Sequence, residues 1–262
     1  MNYTTTQIKE LLMKLGAAPK KSLGQNFLVN ENTSQRIADW ANSTGNSLIE
    51  IGPGLGALTY KLDKTKLIHL LEIDRAFSTH WREEGYPVTE GDALDFDWNS
   101  VEKNGTTLVS NLPYQISSRI VIDRSIGPTS VNRMILMFQK EVAERITCGP
   151  KSSDYGMLSV FSQAHWKVEK FLDAGPKDFY PPPQVGSRVL SFQRIDTDFD
   201  SQKFLIFLKK SFQQRRKKLT GNLKDYSVDN VRSVVTELGY TEDVRADQIS
   251  VEHFLILFNK LT

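Results

Sequence analysis

A single cysteine, Cys148, in 262 residues excludes an internal disulfide, so packing and hydrogen bonding must hold the fold together. Histidine is scarce too: His69, His80, His165 and His253 are scattered without metal-ligand spacing, and no metal site is expected. Long apolar runs are missing. Segments such as Met134 to Phe138 fall far below the roughly 18 to 20 residues that span a bilayer. No signal peptide is read in the polar stretch Met1 to Thr6, which leads into amphipathic spacing at Ile8, Leu11, Leu12 and Leu15. These absences predict a soluble, cytoplasmic protein without membrane contact, and no internal repeat or low-complexity tract is visible.

What is present is ordinary in bulk and uneven in detail. Hydrophobic residues at 39% and charged residues at 24% describe a globular chain that is neither disordered nor fibrous. Net charge is only +2, yet Ser201 to Lys224 contains eight cations and no Asp or Glu. Within that run Arg215, Arg216, Lys217 and Lys218 are consecutive, and a one-signed surface of this kind suits phosphate contacts.

Apolar, β-rich segments alternate with helical ones, the pattern of a parallel sheet covered by helices. Strands are predicted at Ser47 to Ile51, Leu67 to Glu72, Pro87 to Glu90, Thr107 to Ser110, Arg133 to Phe138, Trp166 to Leu172 and Arg188 to Arg194. Strand signals stop there, the acidic run Asp196, Asp198, Asp200 follows, and the remainder reads as helices. The expected organisation is an α/β domain over 1–195 with a seven-stranded doubly wound sheet, and a small all-helical domain over 196–262.

Chemistry-bearing motifs lie at the strand ends. Ile49-Glu50-Ile51-Gly52-Pro53-Gly54-Leu55-Gly56-Ala57 runs a strand into a glycine-rich turn that opens a helix; alone it also satisfies a looser dinucleotide fingerprint. Glu72 ends the second strand 20 residues beyond Gly52, where a carboxylate accepts both ribose hydroxyls, which favours adenosine cofactors in general. Asp92 follows the third strand and is placed to accept from an exocyclic amine. After the fourth comes Asn111-Leu112-Pro113-Tyr114. An adenine amine is a poor nucleophile because its lone pair is delocalised into the ring, and hydrogen-bond acceptors draw that nitrogen toward tetrahedral geometry. The Asn111 side-chain oxygen and the Leu112 carbonyl could each take one amine hydrogen, with Pro113 stiffening the turn and Tyr114 stacking on the base. In Phe179-Tyr180-Pro181-Pro182-Pro183 a rigid run presents Phe179 toward the base's second face, and Lys20 to Leu28 forms a basic, polar loop suited to closing over a cofactor.

In this order the motifs resemble the KsgA family of ribosomal RNA adenine dimethyltransferases over nearly the whole chain. Further matching segments are Gln139 to Arg145, Tyr155 to Val160, and Phe212 with Arg215-Arg216-Lys217. The resemblance implies a Rossmann-like methyltransferase sheet binding S-adenosylmethionine through Asn26, Leu28, Gly52, Glu72, Asp92 and Asn111, and a helical domain that contacts RNA. It further implies dimethylation of two adjacent adenines near the 3′ end of small-subunit RNA within an assembling 30S-type particle, by a monomer needing no metal. Methyl transfer would be in-line displacement without a covalent enzyme intermediate. Two alternatives share the fold: an Erm-type enzyme of large-subunit RNA, and a noncatalytic RNA-binding assembly protein. A dinucleotide reductase is disfavoured because no Tyr-x-x-x-Lys pairing accompanies the glycine loop.

Overall fold

The computed structural model describes residues 5–20, 23–44, 47–101 and 105–262. Met1 to Thr4 of the polar start, and Lys21 and Ser22 of the basic loop, lie outside the described residues. Among the described residues the chain forms α1 (Thr5–Lys14), β1 (Phe27–Leu28), α2 (Glu31–Thr44), β2 (Ser47–Ile51) and β3 (Leu67–Glu72). There follow α3 (Arg75–Glu83), β4 (Val88–Glu90), β5 (Thr106–Asn111), α4 (Tyr114–Ile126), β6 (Val131–Gln139), α5 (Lys140–Thr147), α6 (Met157–His165) and β7 (Trp166–Ala174). The remainder comprises β8 (Phe179–Tyr180), β9 (Ser187–Arg194), α7 (Ser201–Ser211), α8 (Leu219–Asn222), α9 (Val228–Glu237) and α10 (Val251–Leu261).

Seven of these strands form a sheet in the order β4-β3-β2-β5-β6-β9-β7. β2 lies parallel to β3 and β5, β3 to β4, and β5 to β6, while β9 runs antiparallel to β6. All seven expected strands are present: two keep their bounds, one is a residue shorter and four are longer by one to three residues. The continuous run Met134 to Phe138 is fully buried in β6, as a strand covered on both faces requires. The order reverses beside β2, whose neighbours are β3 and β5, and the carboxyl ends of strands at such a switch point form a ligand crevice.

Two short strands escaped the sequence pattern. β1 and β8 pair antiparallel, Phe27 opposite Tyr180 and Leu28 opposite Phe179, and two residues are too few to display a period. Val29 N–H extends the pairing to the Asp178 carbonyl at 2.8 Å, and the Asn30 side chain donates to Asp178 at 2.7 Å while capping α2 at Thr33.

The contacts resolve into two compact units, Met1–Ala143 with Glu169–Gln193, and Glu144–Val168 with Arg194–Thr262. The expected cut near Ile195 falls beside the last crossing, but Glu144–Val168 also joins the helical unit. The reason is α6, which is buried along most of its length and packs on α7 and α10. An aromatic chain runs through this unit, with Phe161 6.2 Å from Phe204 and Phe204 5.2 Å from Phe258. In the first unit the core gathers α1, α2, the sheet face and the β1–β8 pair around Phe77 and Trp81.

The glycine turn is set against that core. Gly52, Gly54 and Gly56 all have φ in the left-handed region, at 66°, 51° and 83°. Trp81 Nε1 donates to the Gly54 carbonyl at 3.0 Å, and a Cβ on Gly56 would come within 2.6 Å of both the Trp81 and Tyr60 rings. Gly85 has a similar φ of 80° but open space around its missing side chain. Gly85→Ala should therefore cost only the backbone strain of about 1–2 kcal/mol. Gly56→Ala should cost about 1–3 kcal/mol more, because a buried indole must also move. Urea midpoints of the two variants check this, and equal losses would show that the Trp81 contact yields freely.

Candidate active site

One cavity of about 310 Å³ opens at the carboxyl ends of the parallel strands. It is lined by residues from the Leu23 to Leu28 loop, the β2 end with its glycine turn, the ends of β3 and β4, and the β5–α4 turn. Asn26, Leu28, Gly52, Glu72, Asp92, Asn111, Leu112, Pro113 and Tyr114, all read from sequence as site residues, meet there.

Glu72 sits at the end of β3, 4% exposed. Its Oε2 accepts from Gly54 N–H at 3.1 Å and its Oε1 from Asp74 N–H at 2.9 Å, so two turns converge on one carboxylate. Burial raises its pKa to about 7, partly offset by those two donors. Asp92 Oδ1 caps the Leu94 N–H at 2.9 Å.

Asn111 ends β5. Its Nδ2 donates to the Asn26 backbone carbonyl at 2.9 Å. A carbonyl can only accept, so this partner fixes which branch of the amide is nitrogen and holds Oδ1 on the opposite side. Pro113 has φ −55° and ψ 125°, the extended conformation that lets it precede α4. The Tyr114 hydroxyl is 2.8 Å from Ser187 Oγ, a contact that restrains the ring, and burial raises its pKa.

Phe179 is not brought to this cavity. It is 3% exposed, pairs with Leu28 across the short sheet and packs in the core, so as placed it offers no face to a base. The basic run also differs from its sequence reading. Gln213 to Lys218 are exposed on the turn after α7, but the fold supplies the acids that the local sequence lacks. Lys203 lies 3.7 Å from Asp200, Lys210 2.9 Å from Asp225 and Arg215 4.0 Å from Asp247, and Lys218 pairs with Asp243. Arg216 and Lys217 have no ion pair among the described residues.

The cavity fits an adenosine-type cofactor. Gly52 lines it, and a Cβ there would meet no atom within 4 Å, so the cavity reaches the bare backbone. A buried carboxylate, Glu72, is available for ribose hydroxyls, and the apolar side chains of Leu28, Ile73, Ala93 and Leu112 line the same space. Among the described residues no cluster of three or more His, Cys, Asp or Glu could hold a metal, and no helix is long and apolar enough to cross a membrane.

Residues 16–262 match the model of the ribosomal RNA adenine dimethylase family. The chain belongs to that family. Among its relatives is a protein of Bdellovibrio bacteriovorus named ribosomal RNA small subunit methyltransferase A, 45% identical over 98% of both chains. A protein of the same name from Acidobacterium capsulatum is 36% identical over 92% of this chain and 91% of its own. A solved dimethyladenosine transferase from Plasmodium falciparum superposes with a TM-score of 0.71 at 26% identity, covering 89% of this chain and 98% of its own. The 23S rRNA methyltransferase ErmE shares the fold, with a TM-score of 0.68 at 23% identity over 90% of this chain and 99% of its own. The family is one of enzymes dependent on S-adenosylmethionine.

In this adenine dimethylase a second acid beneath the cofactor loop went unassigned in the sequence. Glu50 lies inside β2, 1% exposed, lines the cavity, and accepts from Thr59 Oγ1 at 2.8 Å. The signal was there to be used: a carboxylate flanked by Ile49 and Ile51 in a buried strand needs a partner. Burial raises its pKa from 4.5 to about 8, with Glu72 nearby adding to the rise. The folded chain thus binds this proton more tightly than the unfolded chain, and stability falls as pH rises from about 4.5 toward 8. Glu50→Gln, a neutral mimic that can still accept from Thr59, should match wild-type stability near pH 5 and exceed it near pH 8. Thermal midpoints across that range decide the matter, since a gain independent of pH would mean that Glu50 is not neutral in the folded state.

Proposed function

We infer that this chain dimethylates the exocyclic amines of adenines in small-subunit ribosomal RNA, using S-adenosylmethionine. The observation that carries the site reading is the Asn111 amide, anchored through its nitrogen to the Asn26 carbonyl in the same cavity as the buried Glu72. When bound, S-adenosylmethionine supplies an electrophilic methyl group. Glu72 receives the ribose hydroxyls, Asp92 the adenine amine of the cofactor, and Asn26, Leu28 and Gly52 contribute the remaining cofactor wall. Asn111 Oδ1 and the Leu112 carbonyl accept the two hydrogens of the target amine and turn its lone pair toward the methyl group. Because these acceptors are fixed before the base arrives, their alignment costs little reorganisation at the moment of reaction. Tyr114, its hydroxyl tied to Ser187, stacks on a base flipped out of the RNA.

The substrate we propose is a pair of adjacent adenines near the 3′ end of small-subunit RNA in an assembling 30S-type particle, acted on by a cytoplasmic monomer. The relatives named for the small subunit, over nearly full length, favour this over the large-subunit reading. The likeness to ErmE speaks for the fold alone. A basic surface supplies affinity with little sequence information, so the shape of the assembled RNA provides the remaining selectivity.

Labelled methyl transfer to immature small subunits and to protein-free large-subunit RNA, followed by nucleoside analysis, tests the reading. The expected product is dimethyladenine in the small subunit, and preferential labelling of large-subunit RNA overturns the choice of substrate. Asn111→Ala should lower single-turnover methylation by about 10²- to 10³-fold, the scale of losing one preorganised hydrogen bond, with RNA binding nearly intact. Near wild-type turnover would remove Asn111 from the mechanism.

The pairing of the basic turn sharpens its assignment to phosphate contacts. Arg216 and Lys217 present undivided charge, whereas Arg215 and Lys218 are shared with Asp247 and Asp243. Neutralising Arg216 and Lys217 together should reduce the slope of log affinity against log salt by about 0.7 per contact. Neutralising Arg215 and Lys218 should reduce it less. Filter binding across a salt series distinguishes the two, and identical slopes would return the run to a merely solvated face.

A further inference from the structure

The group that orients Asn111 is a backbone carbonyl on a loop, so the amide is held only as well as that loop is held. Gly24 to Asn26 belongs to neither a helix nor a strand. Besides a local bond from Asn26 Nδ2 to the Gly24 carbonyl at 3.2 Å and the Phe27–Tyr180 pairing that follows, its side-chain restraint converges on one acid. Asp74 Oδ2 receives Gln25 Nε2 at 3.1 Å and Lys20 Nζ at 2.9 Å, while Oδ1 caps α3 through the Ala76 N–H at 3.1 Å. Gln25 is gripped at both ends, because its Oε1 accepts the Lys20 N–H at 2.8 Å. Gly24 packs beside the catalytic turn, close enough that a Cβ there would lie 3.7 Å from Pro113 and from the Tyr114 nitrogen. Two residues further along, Asn26 presents its carbonyl to Asn111 at 2.9 Å.

We propose that Gln25, hydrogen-bonded to Asp74, is a positioning residue for methyl transfer that holds the Asn26 carbonyl where it orients the Asn111 amide. The inference rests on reading Asn111 as the acceptor of the target amine. The connection runs from the turn that follows Glu72 to the end of β5, so the ribose-facing and amine-facing halves of the cavity share one restraint. Lys20 is the weaker arm because its side chain is 51% exposed, and water competes for an exposed ion pair. Gln25 reaches an oxygen of a side chain that is 1% exposed, where a charge-assisted hydrogen bond keeps its strength. Burial alone would raise the Asp74 carboxyl, but its bonds from Lys20, Gln25 and Ala76 outweigh burial and hold it ionised, below the usual carboxylate range.

The test pairs kinetics with a spectroscopic signature. Gln25→Ala should lower kcat by about tenfold, the effect of losing one hydrogen bond to a charged group, while the cofactor Kd and the KM for RNA change by less than about threefold. Placed on an Asn111→Ala background it should cause no further loss, since its effect passes through Asn111. Gln25→Glu sets two carboxylates face to face, so its activity relative to wild type should recover as pH falls and the new side chain regains a proton to donate. In protein without cofactor or RNA, the Asn111 side-chain amide resonances, recognised by their disappearance in Asn111→Ala, should exchange with solvent faster in Gln25→Ala. A folded Gln25→Ala with wild-type kcat and unchanged amide exchange overturns the proposal, as does an undiminished further loss on the Asn111→Ala background. A wild-type protein that methylates no small-subunit RNA would instead fail the functional reading, and amide exchange would still decide whether Gln25 positions Asn111.

Discussion

The burial of Glu72 at the carboxyl end of β3 is the constraint on which the site depends. A carboxylate that is nearly withdrawn from water must be given donors, and the chain gives it two backbone N–H groups, from Gly54 and Asp74. Supplying them fixes the glycine turn on one side and the β3–α3 turn on the other. Gly54 must sit in a left-handed conformation to present its N–H, its carbonyl is then taken by Trp81, and Gly56 closes onto the same indole. Asp74 in turn starts α3 and anchors Lys20 and Gln25. One buried charge thereby organises three of the segments that line the cavity.

The same logic makes the cavity electrostatically tense. Glu50 and Glu72 lie under one loop, each raised by burial, with Glu72 adding to the rise at Glu50 and Asp74 to that at Glu72, so the protein carries a standing cost near neutral pH. A ligand that donates hydrogen bonds to Glu72 favours its ionised form. Instability of this kind is characteristic of sites rather than of cores. Glu50 makes no contact that the chemistry requires, and its position in β2 is where the strand meets that loop.

Much of the fold was legible because parallel strands buried on both faces must be continuously apolar, and Met134 to Phe138 has few other uses. The site was legible because acids, glycines and a proline recur at strand ends in a fixed order. What stayed hidden depends on partners remote in sequence. Phe27 with Leu28 and Phe179 with Tyr180 are too short to show a period, and only their pairing defines them as strands. Phe179 looked like a stacking residue because the prolines beside it are rigid, yet the pairing with Leu28 turns it into the core. The basic run read as eight unopposed cations because Asp225, Asp243 and Asp247 arrive from beyond the run. Glu144–Val168 read as part of the sheet domain because nothing local marks a helix whose partners, α7 and α10, follow long after it.

The identity of residue 111 follows from the same accounting of donors and acceptors. The position must accept from a substrate amine and must also be anchored by the Asn26 carbonyl. An aspartate could accept, but it would face that carbonyl with oxygen against oxygen, and it would add a fourth carboxylate to a cavity already holding Glu50, Glu72 and Asp92. A serine or threonine hydroxyl could donate to the carbonyl, but the same rotor would then have to present its acceptor lone pairs from the same atom. Asparagine separates the two functions on opposite branches of a rigid plane, donor toward the loop and acceptor away from it. Anchoring one branch therefore aims the other, and the restraint on the loop becomes a restraint on the acceptor. A neutral amide in this place polarises an amine without taking its proton or demanding a counter-charge, which suits a reaction limited by the geometry of a lone pair rather than by the strength of a base.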